Sequence, residues 1–210
     1  MPIIAIRQAT LADIPAVAEV HAAAFPKFFL TLLGPALLRT YYRTVLEFDT
    51  GRLFVADDAR RAVGFVAGFA DPGRFYASLA RKPWRFAGPL AVGLLCRPWL
   101  VARILTRAGH VVARGRRSRN PQATSGRFEL SSLAVHPAAQ NRGIGRRLVT
   151  ALVESARNSD ATVVSLTTDA LDNAAVNAFY ARSGFRLIGH QAAHVDRPMN
   201  EYEYSLRSAG

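Results

Sequence analysis

Apolar positions along the chain switch between a period of about 3.6 and a period of 2, and the switches predict alternating helices and strands. Residues 3–8 read as a strand. Thr10 followed by Asp13 marks a capped helix start, after which Ile14, Val17, Ala18, His21 and Phe25 share one apolar face. Pro26 ends that helix, an apolar stretch from Phe28 is broken at Gly34-Pro35, and 36–48 reads as the next helix. Residues 52–57 and 62–70 are strands joined by the turn Asp58-Ala59-Arg60-Arg61. Further on, 128–136 reads as a strand, and 144–158 as a helix burying Ile144, Leu148, Val149, Leu152, Val153 and Ala156. Residues 162–168 form a strand and 173–183 a helix stopped by Gly184. The last strands are 185–189 and 200–206, where Tyr202, Tyr204 and Leu206 alternate with Glu201, Glu203 and Ser205. This order predicts an α/β fold on a mixed sheet, and 210 residues suit one domain with a sizeable core.

Residues 72–126 interrupt the pattern. The formal charge is +12, and from Arg74 to Arg127 there are 12 Arg and Lys and no acid. The rest of the chain holds 15 basic and 15 acidic residues, so this segment carries the whole imbalance. Its apolar run from Phe86 to Ala108 is divided by Gly88-Pro89 and Arg97-Pro98, which predicts short helices. The uninterrupted part, Phe86 to Cys96, falls short of the roughly 20 apolar residues that span a bilayer. Arg114 to Ser125 reads as a polar loop. The segment fits a solvated arginine face on a helical pair, a lid over an anionic acceptor, or a patch resting on anionic lipid. Phe75, Tyr76, Trp84, Phe86 and Trp99 lie among the arginines, a mixture that can hold single-stranded nucleic acid. Their apolar surroundings mark them instead as buried.

The sharpest chemical signal is Gln140-Asn141-Arg142-Gly143-Ile144-Gly145, between the strand ending at Val135 and the helix from 144. A glycine-rich turn opening a helix presents unpaired backbone N–H groups, and the helix dipole adds positive potential there. Such a turn is suited to a phosphate or pyrophosphate, with Arg142, Arg146 and Arg147 adding charge. Neither the Lys-Ser/Thr of a Walker loop nor the three-glycine dinucleotide fingerprint is present.

This loop, with the Ala134-Val135-His136-Pro137 that precedes it, resembles the acetyl-CoA loop of the GCN5-related N-acetyltransferases (GNAT). Asp172 to Phe185, carrying Asn173, Phe179-Tyr180 and Gly184-Phe185, is similar to a second motif of that family. Ile6-Arg7-Gln8-Ala9-Thr10-Leu11-Ala12-Asp13 resembles its opening strand and helix cap. The resemblance implies the GNAT fold, with 72–126 inserted where the family usually has a short turn, and acetyl-CoA as cosubstrate. It implies that Gln140, Asn141, Arg142, Gly143, Ile144, Gly145 and Arg146 hold the pyrophosphate. Leu133, Ala134 and Val135 would bond the pantetheine arm through the backbone, and Asn173 through its side chain. Glu129 stands six residues before Val135, the offset of the catalytic glutamate in histone-type members, which makes it the candidate general base, directly or through a water. A salt bridge to a nearby arginine is its alternative role. Tyr180, seven residues after Asn173, stands where the family commonly supplies a phenol that protonates the departing thiolate. Ribosomal-protein members often carry a glutamate twelve residues before that tyrosine; here the position is Thr168, which argues against their specificity for protein N-termini.

The expected activity is therefore acetyl transfer to a primary amine by direct attack in a ternary complex. A small-molecule acceptor is favoured over a protein. The Phe28–Pro35 stretch and Met199-Asn200-Glu201-Tyr202 loosely resemble members linked to aminosugar or surface-polysaccharide modification, and an aminosugar on a phosphate carrier would suit the basic segment. The competing class is a non-enzymatic basic module that binds nucleic acid or anionic membrane on the same scaffold. Peripheral membrane contact stays open, nucleic acid is disfavoured, and the protein is expected as monomer or dimer. One cysteine, Cys96, excludes an internal disulfide and, with no secretory pattern at the N-terminus, points to the cytoplasm. Cys96 has no neighbouring His in sequence to support a covalent route, and the five histidines show no ligand spacing, so no metal is expected.

Overall fold

The computed structural model describes residues 4–58, 61–96, 126–191 and 198–206. Seven strands form one mixed sheet: β1 (Ala5–Gln8), β2 (Gly51–Asp57), β3 (Ala62–Ala70), β4 (Arg127–Val135), β5 (Val163–Asp169), β6 (Arg186–Gln191) and β7 (Met199–Ser205). Their spatial order is β1-β2-β3-β4-β5-β7-β6. β4 and β5 run parallel, and every other neighbouring pair is antiparallel. The helices are α1 (Ile14–Ala24), α2 (Phe29–Leu32), α3 (Pro35–Glu47), α4 (Pro72–Arg81), α5 (Trp84–Cys96), α6 (Ile144–Arg157) and α7 (Ala174–Arg182).

Two cores form because the two faces of the sheet are covered by different helices. On one face α6 crosses β2, β3 and β4, burying the stripe that its period predicts: Ile144, Leu148, Leu152 and Ala156 are each at most 2% exposed. At roughly 1.5–3 kcal/mol for each fully buried large aliphatic side chain, this stripe is a main anchor of the helix. Phe128, Val164, Leu166, Tyr180, Phe185 and Tyr202 complete that cluster. On the opposite face α1 and α3 bury Val17, Leu38, Tyr42 and Val45 against Leu53, Phe65, Phe69 and Phe75. The capped start holds: the Asp13 carboxylate accepts from the Thr10 amide at 2.8 Å, although a 3₁₀ turn, Leu11–Asp13, precedes α1. Phe25, the C-terminal cap of α1, lies at the rim of the expected buried face, half-buried against the same cluster and edge-on to His21.

Within the inserted segment the structure departs from the predicted subdivision. Pro72–Arg81 is a helix that the sequence pattern did not single out, and α5 runs through Gly88-Pro89 without a break. Pro89 forfeits one backbone bond. Packing offsets that loss: Phe86, Leu90 and Leu94 line one side of α5 and lie against Leu33 and Leu37. Trp84, expected to be buried, is 66% exposed at the first turn of α5. The expectations for Arg97 to Ser125, including Trp99 and the polar loop with Arg114, lie outside the described residues. No described helix is long and apolar enough to cross a membrane.

Candidate active site

The site begins where two strands part. β4 and β5 pair at Arg127 with Val163, Phe128 with Val164 and Glu129 with Ser165, and there the pairing stops. Beyond Glu129 the strands follow different partners: β4 stays with β3 as far as Val135, while β5 stays with β7 as far as Asp169. A register shift helps them separate. Gly68 pairs with Leu130 and Ala67 with Ser132, so Ser131 is the extra residue of a bulge, and its hydroxyl donates to the Ala67 carbonyl at 3.2 Å. A bulge bends and twists its strand. The edge of β4 that would face β5 from Leu130 to Val135, which includes Leu133 and Ala134, therefore has no strand partner among the described residues. In a parallel pair this is the carboxyl end, where open α/β sheets characteristically bind ligands.

The loop after β4 caps this opening. Pro137–Ala139 makes a 3₁₀ turn, Gln140 donates from its amide to the Val135 carbonyl at 3.3 Å, and α6 starts at Ile144. Asn141 and Gly143 both take left-handed backbone, with φ of 61° and 71°. Gly143 is the N-cap of α6, makes no side-chain cap, and has nothing within 4 Å of where a Cβ would stand. The alternation of left-handed residues at a helix start turns successive N–H groups toward one side, an anion-binding concavity. Arg142 and Arg146 flank it, both exposed. Gly145 sits 3.4 Å from the Phe179 ring by its would-be Cβ, which brings the start of α6 against α7.

Asn173 is the N-cap of α7. Its amide nitrogen donates to Thr168 Oγ1 at 2.8 Å and to the Asp169 carbonyl at 3.2 Å, so Thr168 helps fix this asparagine at the end of β5. Asn177, one turn on, donates to the Asp169 and Asn173 carbonyls and accepts from Asn200 and Tyr202 at 2.9 and 3.0 Å. The sequence reading missed this second asparagine; its position one turn after Asn173, facing the same strand end, was the available signal.

Glu129 is the last β4 residue paired with β5, at the root of the opening and half-buried. Tyr76 of α4 donates its hydroxyl to Glu129 Oε1 at 2.5 Å. Sequence reading grouped Tyr76 with buried aromatics and gave no hint of this bond, because the two residues are 53 positions apart. Tyr180 is 7% exposed, packed among Phe179, Phe185 and Tyr202, and burial pushes its phenol well above the usual tyrosine range. It belongs to the cluster on the α6 face, whereas Tyr76 packs with the opposite cluster. The two candidate proton-handling groups thus approach from opposite faces of the sheet. Among the described residues no cluster of three or more His, Cys, Asp or Glu is arranged to hold a metal ion.

Comparison with known proteins agrees with this fold. Residues 14–185 match the model of the acetyltransferase (GNAT) family. No curated protein matches the chain significantly. Among solved structures, a protein assigned to the GNAT acetyltransferases from Desulfovibrio desulfuricans superposes with a TM-score of 0.64 at 15% identity, covering 98% of this chain and all of that one. The yncA protein of Salmonella typhimurium, solved with its cofactor acetyl-CoA, gives 0.61 at 16% identity over 99% of this chain and 96% of its own. The ribosomal-protein-alanine N-acetyltransferase of Brucella melitensis gives 0.60 at 20% identity, covering 96% and 99%. At these identities the likeness establishes the fold, while the family match spans most of the sequence. The chain is a member of the GNAT acetyltransferase family.

Proposed function

We propose that this chain transfers the acetyl group of acetyl-CoA to a primary amine by direct attack in a ternary complex. The observation that carries the reading is the parting of β4 and β5 after Glu129, with a left-handed, glycine-capped helix start at the open end. The residues present fit the cosubstrate. Gln140 to Arg146 offer backbone donors, a helix dipole and two arginines to a pyrophosphate. Leu133, Ala134 and Val135 offer an unpaired strand edge to the pantetheine amides, as in strand addition. Asn173 commits its nitrogen to Thr168 and Asp169, which leaves its carbonyl oxygen to accept from an amide N–H. That the yncA protein was solved with acetyl-CoA on a similar fold supports this choice.

When bound, acetyl-CoA supplies an acyl group activated as a thioester. The chain must then supply a base, because an alkyl ammonium has a pKa of about 10.4 and cannot attack until deprotonated. Glu129 takes that proton, directly or through one water. Tyr180, kept protonated by burial, gives a proton to the departing thiolate from the other face. The acceptor is a small amine in this reading, since Thr168 replaces the glutamate of the ribosomal-protein class. The aminosugar likeness of Phe28–Pro35 and of Met199-Asn200-Glu201-Tyr202 has no support among the relatives named above.

The test is a screen of aminosugar, polyamine and peptide acceptors for CoA release, repeated with Glu129→Gln on the best acceptor. A general base typically contributes about 10²–10⁴-fold, so turnover should drop by that order while acetyl-CoA affinity holds. The deficit should shrink at high pH, where free amine is plentiful. Wild-type turnover in Glu129→Gln would assign the residue to structure.

A further inference from the structure

The basic insertion begins with α4, and α4 reaches the candidate base. Asp71, left-handed at φ 53°, starts the helix by accepting from the Arg74 amide. Phe75 then stacks on Phe69 with ring centroids 3.8 Å apart, fully buried. Tyr76 stands edge-on to both, 5.8 Å from Phe69 and 5.5 Å from Phe75. Phe69 is in turn the β3 partner of Glu129. A ring clamped against the neighbouring strand holds its hydroxyl over the carboxylate, and the 2.5 Å bond to Oε1 results.

We propose that Tyr76 is a positioning residue for Glu129, its phenol fixing the carboxylate in one orientation and in its ionised, proton-accepting form. The insertion is then built into the site through its first helix. The inference rests on the reading of Glu129 as the base. A bond donated to the ionised form of a carboxylate favours that form, and a base held in one geometry avoids a search for it at each turnover. Among the described residues, the following groups face Glu129 from the packed elements. Arg127, two residues earlier on β4, is engaged by Glu201 and Glu203 of β7 at 3.2 and 2.5 Å. From β5 the partner is the neutral Ser165, and from β3 the apolar Phe69. Arg74 of α4 is paired with Asp49.

The experiment is a carbon NMR titration of the full chain labelled at the glutamate side-chain carboxyls, with the Glu129 signal identified by its loss in Glu129→Gln. Tyr76→Phe should raise the Glu129 midpoint by about half a unit or more, since a donor to the ionised form is gone. Tyrosine labelling reads the same coupling from the other side. By reciprocity, Glu129→Gln should lower the Tyr76 phenol midpoint, a measurement that does not depend on Tyr76→Phe folding. Midpoints that stay put overturn the proposal. Full turnover in Glu129→Gln would remove the base assignment while leaving these titrations shifted, so the two failures are distinct.

Discussion

Beneath β4 a buried polar relay makes a claim at the scale of one residue. His21 is 3% exposed, its Nδ1 lies 2.6 Å from the Tyr42 hydroxyl, and its Nε2 is buried with no partner among the described residues. Tyr42, fully buried, also bonds Ser132, beside the bulge of β4. Desolvation lowers the His21 pKa from 6.5 to about 4. The unfolded chain therefore binds a proton that the folded chain refuses, so His21 favours folding fully above pH 6.5 and progressively less as pH falls toward about 4. At 1.36 kcal/mol per unit the loss over that window is about 3 kcal/mol. His21→Gln can keep a bond to Tyr42 without titrating. Denaturant unfolding at pH 7 and pH 4 should show the wild type losing about 3 kcal/mol more than the variant; parallel losses would mean that His21 is charged or solvated in the fold. Sequence alone placed His21 on the buried face of α1 correctly. Its partner could not be read, because Tyr42 comes from a different helix.

At the scale of elements, periodic segments were legible and the packing of the insertion was not. α1, α3, α6 and α7 match the expected spans to within a residue or two; the first three bury a stripe at helical spacing, while α7 buries Tyr180 alone and is marked by its Asn173 start and Gly184 stop. α5 was misread as divided because Gly88-Pro89 is a local breaking signal, and local signals do not report the neighbour that overrides them. That neighbour is the turn after α2. A Cβ on Gly93 would stand 2.3 Å from the Leu33 carbonyl oxygen, so α5 can lie this close only with glycine there. Gly93→Ala should gain intrinsic helix propensity yet destabilise the protein by roughly 1–3 kcal/mol through overpacking against backbone. Thermal unfolding checks this. A stabilised variant would show that α5 does not dock on α2 and α3 as described. α4 was missed for a related reason: its ten residues follow a cap at Asp71 in left-handed backbone, which sequence does not announce.

For the whole molecule, the fold and the glycine turn that opens α6 were legible because both rest on local chemistry: a strand, a glycine turn, an arginine-flanked helix start. The parting of β4 and β5 was less legible, since it arises from a bulge at Ser131 and from partners, β3 and β7, that are distant in sequence. In the proposed function this opening and the loop that caps it bind acetyl-CoA. Calorimetric titration of acetyl-CoA into the wild type and into Gly143→Asp tests it most directly. A Cβ at Gly143 meets nothing within 4 Å, and Asp tolerates left-handed backbone better than most residues, so the variant should fold. Its carboxylate would stand where the pyrophosphate is placed. Binding by the wild type, weakened at least tenfold or about 1.4 kcal/mol in Gly143→Asp, is the predicted result. Equal affinities in two folded proteins, or no binding by the wild type, would remove acetyl-CoA from this site.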